Sequence, residues 1–265
     1  MNLLEQVDKI KKEGYNEANA EAKLCQDIIL KSISQSSLNR NVTIKGGVIM
    51  SSISKDARRA TQDLDLDFIK YAISQESIDG FIEKLNCIDG IRLYRSAPIE
   101  ELKHQDYKGK RVHIGIKDDY ENVLSLKMDI GVHKDLDIKQ EEYCFDLCFQ
   151  EDSASVLINS KEQMITEKLK SLMRFGTRST RYKDVFDICY LSDLVDVEKL
   201  RQCIQKYIYS DTTIDVNDSE QIKERAERIF SNSTYKKRLE KSNKNWLDLA
   251  VDDVLKKNLD FVFRL

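Results

Sequence analysis

The chain has 265 residues, 41% of them hydrophobic and 34% charged, with a formal net charge of -3 and a pI near 5.8. That length suffices to bury a substantial core in one large domain or two modest ones, and the composition excludes a disordered profile. The acidic balance excludes long-range attraction of the whole molecule to nucleic acid, so such a partner would need a local basic patch.

No apolar run of roughly 18 residues is present, and the N-terminus, Met1-Asn-Leu-Leu-Glu-Gln, lacks the basic, apolar and small-residue order of a signal peptide. A cytoplasmic protein with no membrane partner is expected. The six cysteines are scattered without Cys-x-x-Cys spacing, which points to neither a zinc site nor a disulfide framework. Cys144 and Cys148 read as small apolar fillers. The histidines, His104, His113 and His133, are too few and too separated for a histidine-based metal site, so any metal should be a hard one bound by oxygen.

In chain order, residues 3–37 are rich in Glu, Ala, Lys and Leu and predict one or two amphipathic helices. Strands are expected over 42–45, 63–69, 90–95, 111–117 and 124–132, with a helix near 75–85 between the second and third. From Ser160 onward the pattern is helical, over 161–175, 182–194, 197–207, 218–230 and from 247 to the C-terminus. Strands followed by helices predict an α+β protein: a mixed-sheet domain with N-terminal helices over 1–155 and a helical bundle over 156–265.

Thr61-Gln62-Asp63-Leu64-Asp65-Leu66-Asp67-Phe68 alternates acid and apolar residues with the period of a strand, so the three aspartates share one face. No Lys or Arg interrupts them, so their repulsion calls for compensation from outside the strand, which a divalent cation supplies directly. The same pattern also fits a solvent-facing edge strand whose acids discourage aggregation. Residues two apart on a strand are separated by roughly 6.6 Å, so Asp63 with Asp65, or Asp65 with Asp67, can converge on a metal, whereas all three do not ligate equally. In Leu124-Ser-Leu-Lys-Met-Asp129-Ile-Gly131, Asp129 lies on the polar face of another strand. If that strand lies beside the first, three carboxylates meet, and three carboxylates without histidine describe a magnesium site for phosphoryl or nucleotidyl transfer.

Ahead of the acids, Lys45-Gly46-Gly47 follows a strand and precedes a short helix carrying Ser51 and Ser52. Glycines there let the backbone approach a phosphate, whose charge the helix N-terminus favours. The order Lys-Gly-Gly, then Arg59-x-Thr61-x-Asp63-Leu-Asp65, resembles the AbiEii/AbiGii-type nucleotidyltransferase toxins of the polymerase-beta-like superfamily. Asp129 falls where that family places its third acid. Glu167-Lys168-Leu169 and Arg181-Tyr-Lys183-Asp184-Val-Phe-Asp187 resemble its two helical motifs.

The resemblance implies a polymerase-beta-like N-terminal domain and transfer of a nucleoside monophosphate from an NTP, by attack of an acceptor hydroxyl on the α-phosphate with release of pyrophosphate. It places Lys45, Gly46, Gly47 and Ser51 or Ser52 beside the triphosphate, and Asp63, Asp65 and Asp129 on magnesium, two ions being expected. Lys168 would contact the phosphates, with Asp184 and Asp187 orienting it or assisting proton transfer. Two departures stand out: Gly47 occupies a position where serine is common in the superfamily, and Asp67 adds a third acid in line. Lys168 also fits an ordinary surface lysine, and Asp184 with Asp187 fits an acidic first helical turn.

Arg174, Arg178, Arg181 and Lys183 cluster between two expected helices and are candidates for binding an acceptor. Tyr235-Lys236-Lys237-Arg238 with Lys241, Lys244 and Trp246 forms a second basic, aromatic stretch. Both also fit solvated helix faces. The resemblance implies an RNA acceptor, in some members the tRNA acceptor end, and a cognate antitoxin. Transfer to a protein or small molecule, and non-catalytic nucleotide binding, are the alternatives.

Overall fold

Asn2 and Asn16 each turn a side-chain oxygen onto the N–H three residues ahead, at Glu5 and Asn19, and so start α1 (Leu3–Lys12) and α2 (Glu17–Gln35). Such caps contribute about 1 kcal/mol each. The computed structural model describes residues 1–102 and 109–265, which form two compact units, Met1–Asn159 and Ser160–Leu265. His104 lies outside the described residues.

In the first unit the two helices lead into β1 (Val42–Lys45), α3 (Gly47–Ser54), a 3-10 turn at Ala57–Arg59 and β2 (Asp63–Phe68). There follow α4 (Gln75–Lys84), β3 (Ile91–Arg95), β4 (Glu100–Glu101), β5 (Lys110–Asp118), β6 (Val123–Val132), β7 (Glu141–Asp146) and β8 (Ser153–Ile158). Among the described residues they build an eight-stranded mixed sheet in the order β3-β5-β6-β2-β1-β8-β7, with β4 paired to β5. β2 lies between β1 and β6, so its acids do not guard an exposed edge, and the edge-strand reading is excluded.

The alternation seen in β2 separates the two faces as its period requires. Leu64, Leu66 and Phe68 are fully buried, and Met128 and Ile130 of β6 join them on the same side. Each such side chain contributes about 2 kcal/mol of burial. The heavily buried α2, whose Leu24, Ile28 and Ile29 are fully buried, packs against β6 and β8. The opposite face therefore carries the charged residues of β2 and its neighbours.

β4, β7 and β8 were not anticipated. In β7 only Phe145 is buried, so no apolar period announces the strand. β8 runs through the boundary expected at 155/156 and ends at Ile158. Cys144 is exposed on β7, with Sγ 3.6 Å from the Ser153 hydroxyl, and so is not the core filler expected; Cys148 is half-buried.

The second unit is helical: α5 (Lys161–Phe175), a 3-10 turn at Gly176–Arg178, α6 (Tyr182–Leu191), α7 (Val197–Ile204) continued by a π-helical turn to Tyr209, α8 (Ser219–Phe230), α9 (Ser233–Lys241) and α10 (Val251–Phe263). Ser160, Asp196, Asp218 and Asn232 cap α5, α7, α8 and α9. Leu169, Val185, Phe186, Leu200, Ile222, Tyr235 and Val254 lie in its core. No helix among the described residues is long and apolar enough to cross a membrane.

Candidate active site

Registers across four strands set the charged face of the sheet. β1 runs antiparallel to β2 with Lys45 opposite Asp65, and β2 runs parallel to β6 with Asp65 opposite Asp129. β6 runs antiparallel to β5 with Asp129 opposite Arg111. One rung thus reads Lys45, Asp65, Asp129, Arg111: two like charges side by side on central strands, flanked by a cation on each outer strand. Adjacent strands are about 4.8 Å apart, so the two acids belong to one patch. On the neighbouring rung Asp63 stands opposite Lys127, and Lys127 opposite His113. The strand pairing on which the inclusion of Asp129 depended is present.

Compensation for the aspartates comes from neighbouring strands, a source that the sequence pattern of β2 does not disclose. Arg111 takes both oxygens of Asp129, Nε to Oδ1 at 2.8 Å and Nη2 to Oδ2 at 2.9 Å. This bond, aided by the charges of Asp129, Asp63 and Glu100, raises the guanidinium pKa further against the opposing effect of desolvation. Lys127 Nζ lies 2.9 Å from Asp63 Oδ1, and Lys45 Nζ reaches diagonally to Asp67 Oδ1 at 2.6 Å. Asp67 is buried, its register partner on β6 is Gly131, and its carboxylate engages Lys45, which sets it apart from the Asp65–Asp129 rung. Lys45, expected beside the triphosphate, is accordingly committed at least in part to Asp67.

The glycine turn closes over the acids. Gly46 has φ +72°, and a Cβ there would lie 2.6 Å from Asp65 Oδ2; a Cβ on Gly47 would lie within 2.9 Å of three Thr61 side-chain atoms. Both positions therefore require glycine for a close approach, with no room for a side chain at either. Gly46 caps α3, whose first turn begins at Gly47. Ser51 and Ser52 fall in the second turn, and Ser52 Oγ lies 3.2 Å from the Tyr143 hydroxyl. Arg59, which led the acid motif in the sequence, is buried. Gln26 of α2 donates to the carbonyls of Thr61 at 2.9 Å and Asp63 at 3.3 Å, tying the start of β2 to the helix layer.

Within the second unit the two helical motifs meet. Lys168 of α5 is buried, its ammonium 3.0 Å from Asp184 Oδ1 and 2.8 Å from Asp187 Oδ2, both on α6. Arg181 Nε lies 3.0 Å from the other Asp184 oxygen, and the Trp246 indole N–H donates to Asp187 Oδ1 at 3.1 Å. Lys168 is thus no solvated surface lysine, and the two acids hold its ammonium, with Asp184 also lying in the acidic first turn of α6. Trp246, in the basic, aromatic stretch of the sequence, is buried, as is Tyr235, so neither presents a ring for base stacking.

The basic candidates divide. Arg174 Nη2 lies 2.9 Å from Asp211, which Lys170 also approaches at 2.7 Å. Burial works against the Asp211 charge, but the Lys170 and Thr213 contacts outweigh it and bring the carboxyl down to about 2. Arg178 is exposed, Arg181 is 64% exposed beside Asp184, and Lys183 is half-buried.

The acid rung fits a hard divalent cation by donor type, all oxygen, and by one specific atom. Asp63 Oδ1 is shielded from solvent and, although close to Lys127, makes no hydrogen bond among the described residues. Among the described residues no three His, Cys, Asp or Glu side chains are gathered into a ready-made cage; the acids are turned toward their cationic partners.

Adjacent strand acids beneath a glycine turn that opens a helix are the parts a nucleotidyl-transfer enzyme requires. A family model described as "Nucleotidyl transferase AbiEii toxin, Type IV TA system" matches residues 28–257, and the chain belongs to this family of toxin–antitoxin nucleotidyltransferases. No curated protein matches the chain. Among solved structures, an antigenic nucleotidyltransferase-like protein from Paracoccidioides brasiliensis is similar at 16% identity, covering 78% of this chain and 96% of that one with a TM-score of 0.40.

Proposed function

We propose that this nucleotidyltransferase moves a nucleoside monophosphate from an NTP to a hydroxyl of an RNA acceptor and releases pyrophosphate. The observation that carries the reading is the register that sets Asp65 beside Asp129 on adjacent strands, with Gly46 against Asp65. Asp63, Asp65 and Asp129 would hold magnesium, two ions in the full complex. Magnesium bound there supplies neutralisation of the triphosphate and a lowered pKa for the attacking hydroxyl.

The chain's own residues do the rest. The turn at Gly46–Gly47 and the N-terminus of α3 offer backbone N–H groups to the phosphates, with Ser51 or Ser52 as the side-chain contribution that family membership suggests. Lys45, held by Asp67, adds positive charge to that side of the rung. Lys168 is the proposed phosphate cation of the helical unit, and Asp184 and Asp187 fix its ammonium. Arg178 and Arg181 are exposed enough to meet an RNA backbone, whereas Arg174 is tied to Asp211. Membership of a toxin–antitoxin family supports a cognate antitoxin and action inside the cell that makes it.

The test is incubation with each α-labelled NTP, magnesium and a mixture of total RNA and protein. Label in RNA, lost in Asp65→Ala and Asp129→Ala variants that still fold, is the expected result. Label confined to protein or to a small molecule overturns the RNA acceptor, and transfer that survives both substitutions overturns the acid assignment.

A further inference from the structure

The cations beside the acid rung are not equivalent. Lys127 approaches Asp63 through one oxygen that makes no hydrogen bond, and Lys45 reaches away from the rung to Asp67. Arg111 grips both oxygens of a rung acid, in a parallel fork to Asp129. A bidentate guanidinium uses the carboxylate lone pairs that face outward together, which are also those a metal ion prefers, and its charge repels a second cation. The fork is held from the neighbouring strand by register, since Arg111 and Asp129 are direct partners in the β5–β6 ladder. The Arg111 side chain is 32% exposed against 13% for Asp129, so the arginine has room to leave while the acid stays.

Opposite Arg111 on its other side stands Glu100 of β4, an exposed carboxylate. A guanidinium released from Asp129 therefore has a second anion within its own strand ladder.

We propose that Arg111 is a latch on the third acid: its fork holds Asp129 in the metal-free protein, and a divalent cation gains Asp129 only by displacing it. This rests on the reading of Asp63, Asp65 and Asp129 as the metal-binding set. In the metal-free state the latch gives Asp129 a cationic partner beside Asp65, so the rung tolerates two adjacent carboxylates without a metal. Arg111 is thus a positioning residue that sets the affinity of the acid rung for its cation.

The test uses the full-length protein without nucleotide, with Mn2+ as the probe, its free concentration followed by electron paramagnetic resonance and the protein by thermal melting. Arg111→Lys keeps the charge and loses the fork. It should melt lower without metal, bind Mn2+ roughly tenfold more tightly and gain more stability from it. Arg111→Gln, which loses charge and fork, should bind at least as tightly; if it fails to fold, the lysine variant decides alone. Asp129→Asn should weaken binding in the wild-type background.

Wild-type Mn2+ affinity in both arginine variants overturns the latch. So does tightening in Arg111→Gln only, since that would be a general effect of charge. Mn2+ binding that is absent throughout, or that ignores Asp129→Asn, overturns the metal assignment itself, and the latch with it.

Discussion

Asp65 and Asp129 stand directly opposite each other on the parallel β2–β6 pair, in the middle of the sheet. Like charges so placed destabilise a sheet by roughly 0.2–1 kcal/mol. The sequence nevertheless builds the pair and surrounds it with Arg111, Lys127 and Lys45, each from a different strand.

Gly46→Ala tests the contact between turn and acid. The new methyl would sit 2.6 Å from Asp65 Oδ2 on a backbone with φ +72°. With ψ at -135° this is a backbone region that residues with a Cβ avoid, at a cost of about 1–3 kcal/mol, and Asp65 must move as well. The expected outcome is a protein that remains folded by circular dichroism with a modestly lowered Tm, and whose nucleotide transfer falls far more than its stability.

The Arg111–Asp129 pair is expected to be coupled. In a double-mutant cycle of Arg111→Gln and Asp129→Asn, followed by urea denaturation, each single variant should lose more stability than the double variant implies. A coupling energy of about 1 kcal/mol is expected for a partly exposed bidentate pair. Additive losses would mean that the fork is energetically idle.

Lys168 holds two buried carboxylates, so Lys168→Met should destabilise the protein by about 3 kcal/mol, because Asp184 and Asp187 would be left without their ammonium. Adding Asp187→Asn should recover part of that loss. Trp246→Phe, which removes one donor from Asp187, should cost about 1 kcal/mol. Trp246 is the sole tryptophan of the sequence, so unfolding of this variant should be followed by far-ultraviolet circular dichroism.

Asp211 predicts an acid limb in the stability profile. Its carboxyl is lowered from 3.8 in the unfolded chain to about 2 in the folded protein, so its contribution is present above pH 3.8 and lost as the pH falls toward 2. About 1 kcal/mol is expected after solvent screening. Melting curves between pH 5 and about 2 should fall less steeply for Asp211→Asn than for the wild type.

Much of this was legible in the sequence because it is local. The period-two alternation over 63–68 and 123–132 fixes two strands and the face each acid takes, and a residue on that face cannot reach the core side. What stayed hidden depends on neighbours. Nothing in Lys110-Arg111-Val112 says that Arg111 will stand beside Asp129, since that partnership is a strand register and not a spacing.

β7 is not legible in the sequence because its residues, all but Phe145 exposed or half-buried, lack an apolar stripe. The burial of Tyr235 and Trp246 was masked by the lysines around them, which suggested a basic surface where the chain turns its aromatic rings inward. The helical motif was visible as residue types, yet the enclosure of Lys168 by Asp184 and Asp187 needed two helices in contact.

The parallel register of β2 and β6 carries a consequence for how such a chain can change in length. The segment joining these strands includes α4 and β3 to β5, and an insertion between elements there leaves Asp65 opposite Asp129 so long as the strands keep their pairing. A single residue deleted within β6 upstream of Asp129 would instead turn that carboxylate toward Leu64 and Leu66 and bring an apolar side chain to the charged face. Length variation among relatives should therefore collect in the connections, and the two strands should be free of it.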